Sequence, residues 1–424
     1  MSLKVNMLYG RDGLDVDLSQ LNAPFAVIGK TQLTLPSITV DDLHHALQHP
    51  IGARPLKEIV RPGDTACIVT SDGTRPYVPM RFVLHALLNH VQDIPLKITV
   101  VTGSGSHVPH TESELAEIFC QSLCSRLNII GHDSRASDLI TVGALSDGTP
   151  VTMNRAYVEA DKRIVIGHIE PHFFTGYTGG PKGIAPALCG IDTILRLHSY
   201  EAIAHPTSAY GDIENNHSTA LIREAAALAP PDFMINLILD EHQKPAAVFA
   251  GGYIEAHRAG VAQARKWCEV EVGRRFPIVV VSNAGYPLDQ NLYQTVKAMS
   301  LGLQLIAPGG TIIVTSECAK GVPAGSAFEK MLSSADSFET LTARLANEAV
   351  RTDDSWQVQK LCQIRARCHV ILVSSLDEAT ARRCHLGYAP SVETALKEAV
   401  ARAGGSASVA FLPYGPLVIP RVIE

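Results

Sequence analysis

From Gly63 onward, short β-branched apolar runs alternate with segments of helical periodicity: TACIVTSDG, PMRFVLHALLNHV, KITVVTGSGSH, ESELAEIFCQSL and LNIIGHD. Runs such as ACIVT and ITVVT are apolar on consecutive positions, so both faces of such strands must be covered. Strands of that kind, each followed by a helix, assemble as βαβ units into a parallel sheet with helices on both sides. The sequence therefore predicts an α/β fold with mainly parallel sheets, and places ligands beyond the carboxyl ends of the strands. Those ends read SDGTRP, TGSGSH and IGHIEPH.

A second series starts at Phe276 with PIVVVSNAG and continues through a helix around YQTVKAMSLGLQLI, then GGTIIVTSE, HVILVSS and SVAFLP. At 424 residues the chain exceeds one typical domain. Two α/β domains are expected, 1–272 and 273–424, with the active site in the cleft between them and the last residues packing back on the first. A helix over 256–271 followed by GRRFP is the expected hinge, and the amphipathic pieces of 326–366 read as core-facing helices. A net charge of −6 gives no reason to expect nucleic acid, and no apolar run approaches the length of a membrane span. Nine scattered cysteines, an odd number with no CxxC pair, do not form a disulfide framework. The expectation is a reduced, cytoplasmic protein with a small-molecule partner.

Several motifs can carry chemistry. SDGTRP sets Asp72 and Arg75 just past a buried strand, where a guanidinium can grip a carboxylate or phosphate in a bidentate contact; an Asp-Gly turn with a solvated arginine is the plainer reading. TGSGSHVPH brings Gly103, Gly105 and Ser106 close to an anion and His107 to the sheet rim. Pro109 argues against His107 and His110 sharing a helical turn as zinc ligands, and His110 belongs to the start of a helix near Thr111. In HFFTGYTGGPKGIAPALCGIDTILRLH, His172, Lys182 and His198 can crowd one pocket, and GGPKG lacks the spacing of a nucleoside triphosphate loop. Lys182 is left as a phosphate contact, a covalent anchor or an exposed side chain, and His198 as a ligand or a core histidine. NLYQTVKAM puts Tyr293, Gln294 and Lys297 at a helix start, the last two on one face.

Taken together, SDGTRP, the histidine after TGSGS, EPHFFTGYTGGPKG, the histidine sixteen residues beyond that lysine and LYQTVK resemble the lactate racemase family, the nickel-pincer enzymes. The order and spacing agree over most of the chain. The resemblance implies a racemase or epimerase of a 2-hydroxy acid. Its cofactor would be a pyridinium mononucleotide with two sulfur-bearing arms, tethered through a thioamide to Lys182, with nickel held by two sulfurs, a ring carbon and His198. It implies His107 and His172 as the acid/base pair for hydride transfer through a 2-keto acid, since the hydroxyls of the two enantiomers lie on opposite sides. It also implies Arg75, Gln294 and Lys297 on the substrate's carboxylate and keto oxygen, with Tyr293 lining the pocket. Asp72, Gly103, Gly105 and Ser106 fall to the cofactor, Asp72 on the ribose or orienting Arg75. Cofactor-synthesis proteins would be required partners. The chain departs from the family at Val108, where many members carry arginine, so the substrate extends to 2-hydroxy acids other than lactate.

Two other functions fit the same residues. His107, His172 and His198 could form a three-imidazole zinc site for a hydrolase or lyase. Arg75, Lys182 and Lys297 could serve as anion contacts in a non-catalytic metabolite-binding protein.

Overall fold

The structure is a computed structural model that describes residues 3–29, 35–73, 78–240, 242–347, 352–404 and 407–423. Arg75 lies outside the described residues. Two six-stranded sheets form the frame. In the first, the order is Pro245–Gly251, Phe233–Leu239, Lys162–His168, Thr65–Ser71, Lys97–Gly103 and Asn128–Gly131. Only the outermost pair, Pro245–Gly251 with Phe233–Leu239, is antiparallel; the other four pairings are parallel. The α/β class with mainly parallel sheets is therefore as the sequence predicts.

Period-two packing explains why these runs are apolar throughout. Ile68, Ile164 and Ile166 face a core shared with Leu43, Leu47, Val83, Leu84 and Leu87 from the helices Val40–Gln48 and Met80–His90. Their neighbours Cys67, Val69 and Val165 face the opposite core, with Leu188, Leu197 and Leu221. The second sheet repeats this arrangement. Val279, Val281, Ile312 and Val314 pack on one side, and Ile278, Val280 and Ile313 on the other.

That second sheet runs Gly387–Tyr388, His369–Val373, Ile306–Thr315, Phe276–Ser282, Val409–Leu412 and Phe25–Val27, every pairing parallel. Its last strand comes from the beginning of the chain, and the hairpin of Lys4–Met7 with Leu14–Asp17 covers one face through Val5, Met7 and Val16. The stretch expected to stay helical to residue 271 instead ends its helix at Cys268, and Glu269–Val272 pairs as a strand with Ile419–Val422. The sequence EVEV alternates with period two, which suits a half-buried strand better than a helix face.

Candidate active site

The strand order of the first sheet reverses between Thr65–Ser71 and Lys162–His168, one run of connections leading to Asn128–Gly131 and the other to Pro245–Gly251. At such a switch point the loops beyond the carboxyl ends diverge and leave a crevice. A cavity of about 270 Å³ lies there, and residues Ser71, Asp72, Gly103–His107 and Gly167–His168 line it from below. Pro287, Leu288, Tyr293, Gln294 and Lys297 line it from the second sheet's side. His107, His172, Lys182 and His198, far apart in sequence, share this one cavity.

His107 follows Gly105, whose φ of +58° suits a residue without a side chain. Its Nδ1 lies 2.7 Å from Oδ2 of Asp72; the carboxylate is almost fully buried (1% exposed) and the imidazole half-exposed. A carboxylate on Nδ1 holds the proton there and leaves the lone pair on Nε2, so His107 is set up as a base. The Asp72 turn is itself anchored, because Gly73 donates its N–H to Nε2 of His110 at 2.8 Å. His110 precedes a helix over Glu112–Phe119 capped by a Thr111–Glu114 box.

His172 sits in a two-residue ladder, Pro171–His172 against Gly176–Tyr177, and is buried among Phe173 and Phe174. Its Nδ1 accepts the Thr175 N–H at 3.3 Å, which puts the proton of the neutral ring on Nε2. The two imidazoles therefore differ in tautomer. Beyond them the chain turns through Gly179 and Gly180 at φ of +79° and +54° into a short 3-10 turn, Gly180–Gly183, that carries Lys182. A Cβ on Gly180 would fall 2.4 Å from the His257 ring, so the turn is pressed against that histidine and admits no side chain. Lys182 Nζ stands 5.9 Å from the Phe174 ring centre.

The helix Ile191–Leu197 ends at His198, whose Nδ1 donates to the Ile194 carbonyl at 2.9 Å. Burial pushes its pKa down from 6.5 to about 4, so the ring is neutral with its lone pair on Nε2, the form a metal requires. Trp356 packs against it, ring centres 4.5 Å apart. Trp356 also donates its indole N–H to the Tyr293 hydroxyl at 3.2 Å, and Gln357 donates to the Tyr293 carbonyl. Both residues line the cavity and neither was anticipated. They reside on the helix Ser355–Arg365, about sixty residues beyond Tyr293, and no local spacing links them.

Asn291 caps the helix Leu292–Gly302 by accepting the Gln294 N–H at 3.0 Å, and so aims Tyr293, Gln294 and Lys297 at the cavity. Gln294 Oε1 is buried with no hydrogen-bond partner among the described residues, so the amide remains available to a bound molecule. Val108 is 85% exposed and is not part of the cavity lining.

Among the described residues, no group of three or more His, Cys, Asp or Glu side chains is arranged to hold a metal ion. The three-imidazole zinc site is therefore not formed. A single neutral imidazole suits a metal whose other donors arrive with an organic group. Backbone is also available for that group: a Cβ on Gly105 would meet nothing closer than 3.9 Å. No helix among the described residues is long and apolar enough to cross a membrane.

The chain matches known proteins along nearly its whole length. Residues 9–211 match the family model of the lactate racemase N-terminal domain, and residues 273–420 that of the lactate racemase C-terminal domain. The chain is 31% identical to a lactate racemase from Thermoanaerobacterium thermosaccharolyticum, over 98% of this chain and 99% of that one. It is 32% identical to a lactate racemase from Lactiplantibacillus plantarum, over 90% and 91% of the two chains. The crystal structure of the lactate racemase apoprotein from T. thermosaccharolyticum superposes with a TM-score of 0.91 at 30% identity, covering 99% of this chain and all of that one. A Thermotoga maritima protein shares the fold at a TM-score of 0.68 and 17% identity, covering 92% of this chain and all of that one. With both family domains in order and relatives above 30% identity along nearly its whole length, the chain belongs to the lactate racemase family of isomerases.

Proposed function

We propose that this enzyme interconverts the enantiomers of a small 2-hydroxy acid, lactate or a close relative, through the 2-keto acid. The observation that carries the proposal is one cavity holding two imidazoles whose Nδ1 atoms meet opposite partners, a carboxylate and a backbone N–H, beside an amine and a histidine with Nε2 unengaged by the Ile194 carbonyl. His107, with its lone pair on Nε2, takes the hydroxyl proton of one enantiomer, and the charge it gains is balanced by Asp72. His172, with its proton on Nε2, is the donor to oxygen from the other side. The opposite direction exchanges the two roles. Asp72 thus acts by positioning His107.

Lys182 is the proposed tether for a nickel-pincer nucleotide, His198 Nε2 the proposed nickel ligand, and the backbone of Gly103, Gly105 and Ser106 the cradle for the nucleotide. When bound, that group supplies an acceptor for hydride from the α-carbon and can return it to either face. Hydride removal suits the substrate, because a carboxylate does little to acidify its neighbouring C–H. Lys297 and Gln294 are assigned to the substrate's carboxylate and keto oxygen together with Arg75, and Tyr293 to the wall that holds it. We assign the division into 1–272 and 273–424 to two units meeting over this cavity, with Phe25–Val27 crossing to the second sheet. The nine cysteines are all unpaired, which supports a reducing, cytoplasmic setting.

The test is the intact mass of protein made together with cofactor-synthesis enzymes. A covalent adduct should be present in the native chain and absent from Lys182→Ala. No adduct and no co-purifying nickel would overturn the assignment.

A further inference from the structure

A second cavity, of about 320 Å³, lies behind the first, between the helix Tyr200–Ala204 and the helices Leu292–Gly302, Phe338–Ala346 and Ser355–Arg365. Lys360, Arg367 and His205 line it, and among the described residues no aspartate or glutamate does. Lys360 is 7% exposed, and among the described residues its ammonium makes one hydrogen bond, to the Ser208 carbonyl at 3.0 Å. It forms no ion pair with any described residue. An ammonium carries three N–H donors, and burying its charge without a counter-charge is costly. Ser300 Oγ, on the helix Leu292–Gly302, is buried with no hydrogen-bond partner among the described residues.

Capping of backbone carbonyls does not account for the lysine. The same helix already donates from Gln359 to the Tyr200 carbonyl at 2.7 Å and from Gln363 to the Ile203 carbonyl at 3.5 Å. A neutral amide performs that task without the cost of a buried charge, so a third glutamine would serve at position 360 if carbonyl contact were its purpose. What a lysine adds is charge, and the pocket supplies a cationic wall, an unsatisfied hydroxyl and open volume. Burial lowers the Lys360 pKa to about 8, so the ammonium persists at neutral pH.

We propose that this cavity is a binding site for a small oxyanion, carboxylate or phosphate, held by Lys360 and Ser300 with Arg367 and His205 at its rim. Phe173, which adjoins His172, forms part of the wall of both cavities, so an anion here rests against the back of the catalytic pocket.

The experiment is isothermal titration of the full-length chain with inorganic phosphate and, separately, with succinate, at ionic strength fixed with chloride. Saturable one-to-one binding of either anion is expected, and the one preferred identifies the source as phosphate or carboxylate. The binding should be unchanged in Lys182→Ala, which alters only the first cavity. It should weaken roughly tenfold to a hundredfold in Lys360→Met, the loss expected for a charge-assisted contact. Near-UV circular dichroism checks that this variant is folded. Should it not fold, the exposed Arg367→Gln and the hydroxyl-deleting Ser300→Ala serve instead, each weakening binding several-fold. No saturable binding by either anion, binding that survives the substitutions in the second cavity, or binding lost in Lys182→Ala would overturn the proposal.

Discussion

Asp72 and Thr175 make two like side chains unlike, because each fixes Nδ1 of one histidine in a different protonation role. His107→Gln should fold, retain the Lys182 adduct and lose roughly 10²- to 10⁴-fold in racemisation rate, the usual worth of a positioned acid or base. Asp72→Asn should lower kcat while leaving KM nearly unchanged, since it disturbs the tautomer of His107 and not the substrate's own contacts. A matching loss of adduct in either variant would mean that the residue serves the cofactor. His198→Ala should keep the adduct by mass but contain little nickel by elemental analysis, which separates the metal ligand from the tether. At this scale the sequence was legible where a side chain reaches the cavity from within one short motif: TGSGSH, EPH and GGPKG each carry a residue that lines it. It was silent on the Asp72–His107 pair, 35 residues apart, because that contact exists only once two parallel strands end side by side.

Glycine conformations decide whether the Lys182 turn can form. Gly180→Ala would place a methyl carbon 2.4 Å from His257 at a φ of +54°, a clash compounded by strain. It should cost about 2–4 kcal/mol of stability, read from the shift in urea midpoint, and reduce the adduct yield. A stability change below about 0.5 kcal/mol would show that the turn yields freely. Most elements of the first sheet could be read from β-branched runs that the structure buries on both faces, and the helix that carries Tyr293 from the segment YQTVKAMSLGLQLI, though not its Asn291 cap. The helix Ser355–Arg365 was read only as core-facing. Its apolar residues do bury, yet its first turn delivers Trp356 and Gln357 to the cavity, and periodicity carries no information about which cavity a helix end will reach.

The whole molecule is tied together by contacts that no local pattern encodes. Phe25–Val27 completes a sheet whose next strand is Val409–Leu412, and Glu269–Val272 pairs with Ile419–Val422, so strands near residue 25 and residue 270 both pair with strands of the last twenty residues. His257, on the helix Glu255–Cys268, joins the Lys182 turn to the antiparallel edge of the first sheet through a 2.9 Å bond from Nε2 to the Thr178 carbonyl. Burial lowers its pKa from 6.5 to about 4. The unfolded chain therefore binds a proton that the folded one refuses, and stability falls as pH drops from 6.5 toward 4. Between pH 7 and pH 5 this one group should remove about 2 kcal/mol, and His257→Gln should flatten the stability–pH profile by that amount. An unchanged profile in the variant would show that the histidine titrates freely in the folded state.

The central claim is that hydride, and not a proton, leaves the α-carbon. Enzyme matured with its cofactor should be incubated in ordinary water with L-lactate, or whichever enantiopure 2-hydroxy acid it turns over, carrying deuterium on the α-carbon. The label in the product of opposite hand is then measured by mass spectrometry after chiral separation. The account predicts racemisation with the deuterium retained on carbon; a product whose deuterium has been replaced by solvent hydrogen, or no loss of optical purity for any 2-hydroxy acid, would contradict it.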